Sequence, residues 1–382
     1  MIRNIKLLVL SSILLFVSCS KDDNSKKIVP PDILVYKDGE VSNSLKMNQL
    51  QYLSSHNSYR KHTDTLIYEY LKGIAGIIPY DLTDWDYNHV DLYTQLERYG
   101  VRHVELDIYG DKAGGRFYSR EGYSLTDRDP DSHIEALKQP GLKLMHIPDV
   151  DCETNYYTFI DALKDLKKWS DVYPDHLPIY VMIETKTETV GDVVTFLPFV
   201  KSEPWDDENI ASIESEILQV FPREQIIKPD DIRRDHATLR EAVLEDGWLT
   251  IGEARGKIMF MFDGAEFSKV YKGDKKSLEG KLIFTNANEN DDDAAFVKVN
   301  DPFDPRIKSL VKQGFLVRSM IGGVKEAKSG DYSKWNAGKA AGVQFLSTDY
   351  YKADERAGVV EGWTDFHVGL ENHSYRINPV TK

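Results

Sequence analysis

Eight short apolar runs, at residues 51–55, 101–108, 142–147, 178–184, 257–262, 281–285, 315–321 and 343–348, most constrain what this chain can fold into. Each is continuous rather than alternating in polarity, the pattern of a parallel strand covered on both faces. Amphipathic patterns stand between them. Residues 155–170 place Phe159, Leu163 and Leu166 on one face, and residues 206–221 do the same with Ile210, Ile213, Ile217 and Val220. Shorter helical patterns are read at 90–99, ahead of Gly100, and at 237–244, 305–313 and 332–340. Strand and helix alternating in this way predict a (β/α)8 TIM barrel. An open doubly wound sheet would use the same alternation, but no Gly-x-Gly-x-x-Gly follows the first run. The connections after the first and fourth runs are long, about 45 and about 70 residues. In a barrel such connections lie at the carboxyl ends of the strands, where they are expected to wall a cleft.

Residues able to do chemistry gather at the ends of the first four runs. Ser54-Ser55-His56-Asn57-Ser58-Tyr59 closes the first, Glu105 and Asp107 the second, His146 the third and Glu184 the fourth. Period two puts Val101, His103, Glu105 and Asp107 on one face of a strand. Two neighbouring carboxylates repel, so one must be protonated or a cation must neutralise both. A hard cation such as calcium suits such a site, because it takes six to eight oxygens from carboxylates and amides together. Asn57 offers an amide oxygen and Glu184 a third carboxylate. A Glu-x-Asp at a strand end also serves as a loop cap, so the pattern alone leaves both readings open. His56 and Asn57 would point to opposite faces of a regular strand, and the backbone is therefore expected to turn there. Lys186, two residues beyond Glu184, and Arg318 are candidates for binding phosphate or ring hydroxyls. For Arg318 a barrel-end ion pair with Asp263 or Asp349 is the alternative.

The N-terminus reads as a targeting segment. Arg3 and Lys6 precede an apolar run from Leu7 to Val17, and Phe16-Val17-Ser18-Cys19 resembles a bacterial lipobox in which Cys19 is lipidated. The run is too short to span a membrane as a helix. The expected organisation is a lipoprotein signal peptide over 1–18, a flexible tether over 19–45 and a catalytic barrel over 46–382. Cys152 then stands alone, with Asp149, Asp151 and Glu153 beside it, and is expected to be inert packing. A net charge of −14 without a basic stripe argues against a nucleic-acid partner. The acidic run Asn290-Asp291-Asp292-Asp293 lacks the glycine and terminal glutamate of a calcium loop and is expected to be solvated.

The ordered series Ser-Ser-His56-Asn57-Ser-Tyr, Gly100-Val-Arg-His-Val-Glu105-Leu-Asp107, Leu-Met-His146 and Tyr-Val-Met-Ile-Glu184 resembles the catalytic barrel of calcium-dependent phosphoinositide-specific phospholipases C. The stretches Thr238-Leu-Arg-Glu-Ala-Val and Gly247 to Asp263 resemble the bacterial secreted branch of that family, and the likeness covers roughly residues 46–365. The resemblance implies calcium held by Asn57, Glu105, Asp107 and Glu184. It implies that His56 stabilises charge on phosphorus and that His146 is the general acid for the departing glycerol oxygen. It further implies attack by the inositol 2-hydroxyl, giving diacylglycerol and a cyclic inositol phosphate.

The chain shows neither a calcium-sensor loop nor a domain resembling the eukaryotic lipid-targeting modules. Membrane proximity is therefore expected from the lipid on Cys19, in the bacterial outer membrane or at the cell surface. The expected partner is an inositol phospholipid or soluble glycerophosphoinositol, met by a monomer. Two rivals stand beside this reading. A glycerophosphodiester phosphodiesterase uses a similar barrel but carries His-Arg where this chain has His56-Asn57. A silent surface lipoprotein binding inositol phosphates or glycans would not need both histidines.

Overall fold

Seven of the eight apolar runs contain a strand, and the 281–285 run makes only an isolated bridge. In the computed structural model, which describes residues 38–74, 81–370 and 374–381, the strands are β1 (Leu50–Ser55), β2 (Val101–Tyr109), β3 (Lys143–Leu144), β4 (Ile179–Thr185), β5 (Ile226–Ile227), β6 (Ile258–Phe262), β7 (Phe296–Lys298), β8 (Leu316–Gly322), β9 (Phe345–Thr348) and β10 (Tyr375–Ile377). They join in the order β5-β6-β4-β2-β1-β9-β8-β7, and every pairing along this path is parallel. Single parallel bridges, Met261 to Phe284 and Asn286 to Phe296, link β6 to β7 through the 284–286 stretch. The ring therefore has eight parallel positions: β1, β2, β4, β6, the 284–286 stretch, β7, β8 and β9. This is the expected α/β barrel, closed at one seam by isolated bridges rather than a full ladder.

Two strands differ from expectation. The 142–147 run is not a barrel strand: β3 folds back antiparallel on the end of β2, pairing Ile108 with Leu144 and Tyr109 with Lys143. Its apolar residues serve two separate cores, Leu142 and Leu144 in the main one and Met145 in a side cluster with Tyr109, Phe117 and Cys152. A run that faces two cores reads like a strand covered on both sides. The ring has no position for it, because β2 pairs directly with β4; the eighth position is β7, between the 284–286 stretch and β8, whose three residues are too few to register as a run.

Helices lie where the 3.6-residue pattern put them, at Phe159–Val172, Asp207–Val220, Leu239–Glu245, Ile307–Gln313 and Ser333–Ala341. The helix Leu92–Tyr99 stops at Gly100, whose φ of +66° is the left-handed conformation that glycine adopts without penalty. No described helix is long and apolar enough to cross a membrane.

Inside the barrel, an aromatic layer underlies the strand ends. Phe345 stacks on His103 at 4.4 Å and meets Tyr180 at 4.6 Å, Tyr52 at 6.2 Å and Phe296 at 6.2 Å. All five residues are fully buried.

At the other end, residues 38–45, expected in the tether, pack on the barrel. Buried Asp38 pairs with Arg102 at 3.0 Å, and Arg102 stacks over Trp169. Arg255 donates to the backbone oxygens of Asp38 and Val41 and to Asn43 Oδ1. Cys19, the signal segment and the rest of the tether lie outside the described residues. Asp293 also departs from expectation: it is buried, ion-paired with Lys272 at 2.7 Å and accepts from Thr285.

Candidate active site

Strand register builds an acidic layer at the barrel mouth. Glu105 and Asp107 share the inner face of β2, Asp107 sits beside Glu184 of β4, and Ile183 sits beside Phe262 of β6. The next residue, Asp263, therefore falls beside Glu184, and its backbone N–H donates to Ile183 O at 2.9 Å. One carboxylate oxygen each from Glu105, Glu184 and Asp263 lies within 4.8 Å of the others.

Basic side chains counter this charge. Arg318 Nη2 donates to Glu105 at 2.7 Å. Lys186 Nζ stands 3.1 Å from both Asp107 and Glu184, and Lys298 pairs with Asp263. Burial pushes the Asp107 carboxyl up to about 8, with Lys186 opposing and Glu184 and Glu105 adding to the rise. Burial also raises Glu105, against the pull of Arg318 and His56. Glu184 lies below its usual range: burial raises it, but Lys186 together with Lys298 and His146 outweighs that effect.

Asn57 sits where β1 breaks. The strand ends at Ser55, His56 N donates to Thr348 O, and Asn57 takes a left-handed φ of +45° that asparagine tolerates better than most residues. The expected turn is present, and it lets the neighbours His56 and Asn57 serve one site. Asn57 Nδ2 donates to the Tyr87 hydroxyl at 3.0 Å, while its buried Oδ1 has no hydrogen-bond partner. A buried amide oxygen without a donor is costly unless something positive meets it.

The two histidines differ in electrostatics. His56 Nδ1 lies 2.8 Å from Asp349, just past β9, and its Nε2 lies 3.9 Å from Glu105. Burial favours its neutral form, yet Glu105 and Asp349 overcome this and raise it to about 9. His146 Nδ1 lies 2.6 Å from Asp151, which Arg60 and Thr63 also hold. Trp85 meets the His146 ring edge-on at 5.7 Å. Burial dominates here and lowers His146 to about 4, below an ordinary imidazole, so the free protein carries it neutral at pH 7. With Nδ1–H given to Asp151, the other ring nitrogen is left free for the cleft.

The structure thus brings together His56, Asn57, Glu105, Asp107, Glu184, Lys186 and Arg318 at one barrel mouth. His146 joins them on the return from β3, near enough for Glu184 and Lys186 to feel its charge. Arg318 pairs with Glu105 rather than with Asp263 or Asp349. Sequence reasoning gave no site role to Asp151, Asp263, Lys298 or Asp349. Asp263 and Asp349 each follow an apolar run directly, the same signal that found Glu184. Asp151 lies in a loop and Lys298 ends a three-residue strand, and neither left a pattern. A cavity of 440 Å³ opens beside the histidines, lined by residues including Trp85, Asp86, His62, Asp349, Tyr350 and Arg356. Cys152 is buried, which pushes its thiol up to about 12 and fits the inert role expected.

Converging carboxylates and a partnerless buried amide oxygen form an all-oxygen donor set, which fits calcium and would not suit a soft transition metal. Three comparisons with known proteins bear on this geometry. No curated protein matches. Among solved structures, a calcium-dependent phosphoinositol-specific phospholipase C from a Gram-negative bacterium, Pseudomonas sp., superposes with a TM-score of 0.53 at 14% identity, covering 91% of this chain and 99% of that one. A second crystal form of its apo state gives 0.53 at 14% identity, with 88% and 96% covered. At this identity the likeness concerns the barrel. The family model for Ca2+-dependent phosphoinositide phospholipase C matches residues 45–379, nearly all of the described chain. The chain belongs to the Ca2+-dependent phosphoinositide phospholipase C family, and is an enzyme, a phosphoric diester hydrolase with calcium as its cofactor.

Proposed function

We propose that the enzyme cleaves the glycerol-side phosphodiester of phosphatidylinositol-type lipids, or of soluble glycerophosphoinositol, by attack of the inositol 2-hydroxyl on phosphorus. The observation that carries this reading is the partnerless, buried amide oxygen of Asn57, next to His56 in the chain, together with the three convergent carboxylates of the barrel mouth. Calcium bound to Asn57, Glu105, Asp107 and Glu184 would supply positive charge and lower the pKa of the attacking hydroxyl. A carboxylate of that set takes the hydroxyl proton.

His56, held charged by Glu105 and Asp349, donates toward the phosphoryl oxygens as negative charge builds on them. His146, oriented by Asp151, protonates the departing glycerol oxygen. It is neutral in the free protein, so the anionic phosphate must raise its affinity for a proton on binding. Once deprotonated, it is set to activate water for ring opening of the cyclic inositol phosphate. Lys186 and Arg318 are assigned to phosphate or ring hydroxyls, and in the free protein they meet Asp107, Glu184 and Glu105. Lipid on Cys19 would hold the catalytic barrel at the outer membrane or cell surface.

The test incubates the full chain in mixed micelles with phosphatidylinositol or with glycerophosphocholine, with calcium or with excess chelator, followed by phosphorus NMR. A cyclic inositol phosphate signal that chelator removes is expected. Turnover of the choline compound without preference for inositol would overturn the reading.

A further inference from the structure

We propose that Asp263 is a ligand of the calcium ion, and that Lys298 is the internal cation which calcium displaces from it; this rests on the calcium-dependent reading of the site. The ligands of the resembled family are an asparagine, two glutamates and the aspartate at position 107. In this chain the oxygens that converge come from Glu105, Glu184 and Asp263, all within 4.8 Å of one another. Oxygens bound at 2.3–2.6 Å to one calcium ion lie at most about 5 Å apart. One ion can therefore touch all three with the backbone as it stands. Strand register makes this geometry: Asp263 follows Phe262, the neighbour of Ile183, and so stands beside Glu184. The buried Asn57 amide oxygen, free of any hydrogen-bond donor, is a second and independent indication of a cation here.

Asp107 is placed differently. It is fully buried, and the Lys186 ammonium fills the gap between it and Glu184, 3.1 Å from each. The counter-charge of Asp263 is easier to remove. Lys298 ends β7, its side chain is 24% exposed, and its flexible stem can carry the ammonium into solvent. Arg318, 3% exposed and bonded to Glu105 and Asn300, has no such exit. Exchange of the Lys298 ammonium for a divalent ion leaves the carboxylates better neutralised than before.

The test is calcium titration of the full chain in detergent, by calorimetry and by terbium luminescence, on the wild type and on D263N, D107N and K298M. Far-UV circular dichroism without calcium checks that each variant is folded. D263N should weaken binding roughly ten- to hundredfold, more than D107N does, and K298M should strengthen it several-fold. Wild-type affinity in D263N would overturn the proposal, and would do so most clearly if its KM rose, which would assign Asp263 to substrate hydroxyls. Should D263N not fold, K298M decides: affinity unchanged or weakened overturns the proposal. A wild type that binds no calcium overturns both this inference and the proposed function, whereas binding that D263N leaves intact overturns only the inference.

Discussion

Replacing Asp151 by asparagine should damage stability and turnover together, by amounts the structure lets one estimate. Asp151 is fully buried and accepts from Arg60 Nε at 2.9 Å, Arg60 Nη2 at 2.7 Å, Thr63 Oγ1 at 2.6 Å and His146 Nδ1 at 2.6 Å. Arg60 is itself fully buried, and without the carboxylate it keeps the Tyr87 carbonyl and the Tyr87 ring 4.5 Å away. Leaving one partner of a buried ion pair uncompensated costs about 3–5 kcal/mol. A second route gives a similar figure. Arg60 and His146 overcome the effect of burial and hold the Asp151 carboxyl at about 2, and the difference from its usual ~3.9 is worth about 2–3 kcal/mol. A loss of about 3 kcal/mol should lower Tm by about 4 °C in a domain of this size.

The sign with pH follows. A lowered carboxyl contributes stability above its unfolded pKa near 3.9 and loses it as pH falls through about 2. The gap between wild type and D151N should therefore be full at pH 5 and shrink between pH 4 and pH 2. Urea unfolding of the calcium-free protein at several pH values measures it. A gap under about 1 kcal/mol, or one that does not shrink on acidification, would refute the argument. Because Asp151 fixes the His146 tautomer, kcat should also fall while KM changes little.

His146→Ala should suppress turnover and leave calcium binding nearly unchanged, as calorimetry would show; loss of both would mean that the ring is structural or a ligand. In the calcium-free protein, NMR should find His56 charged to about pH 9. A raised histidine contributes stability below about 6.5 and loses it as pH climbs toward 9, so the calcium-free protein should weaken over that range; a midpoint near 6.5 would contradict the Glu105 and Asp349 contacts. Gly122→Ala should destabilise by about 1–3 kcal/mol, since its new Cβ would lie 1.9 Å from Asp149 O, and an unchanged melting temperature would show that this loop yields freely.

The anchor points of the site were legible because they are local. Glu105 and Asp107 share a face by period two alone, and Glu184 ends a run that reads as a covered strand. The adjacency of His56 and Asn57 demanded a turn, which the left-handed φ of Asn57 supplies. The 142–147 run misled for an equally local reason: apolarity reports burial, and β3 is buried without being part of the ring.

Pattern within the chain was thus enough to determine the strand and helix alternation, the barrel and the residue types at its mouth. Those features follow from periods of 2 and 3.6 residues that every segment carries by itself. Which charge meets which was decided only by the tertiary structure. Asp151 reaches His146 and Arg60, Asp349 reaches His56, Arg318 reaches Glu105, and Lys298 reaches Asp263. Most of these partners stand far apart along the chain, and their meeting depends on the relative register of whole strands and on loop paths, quantities that no single segment encodes.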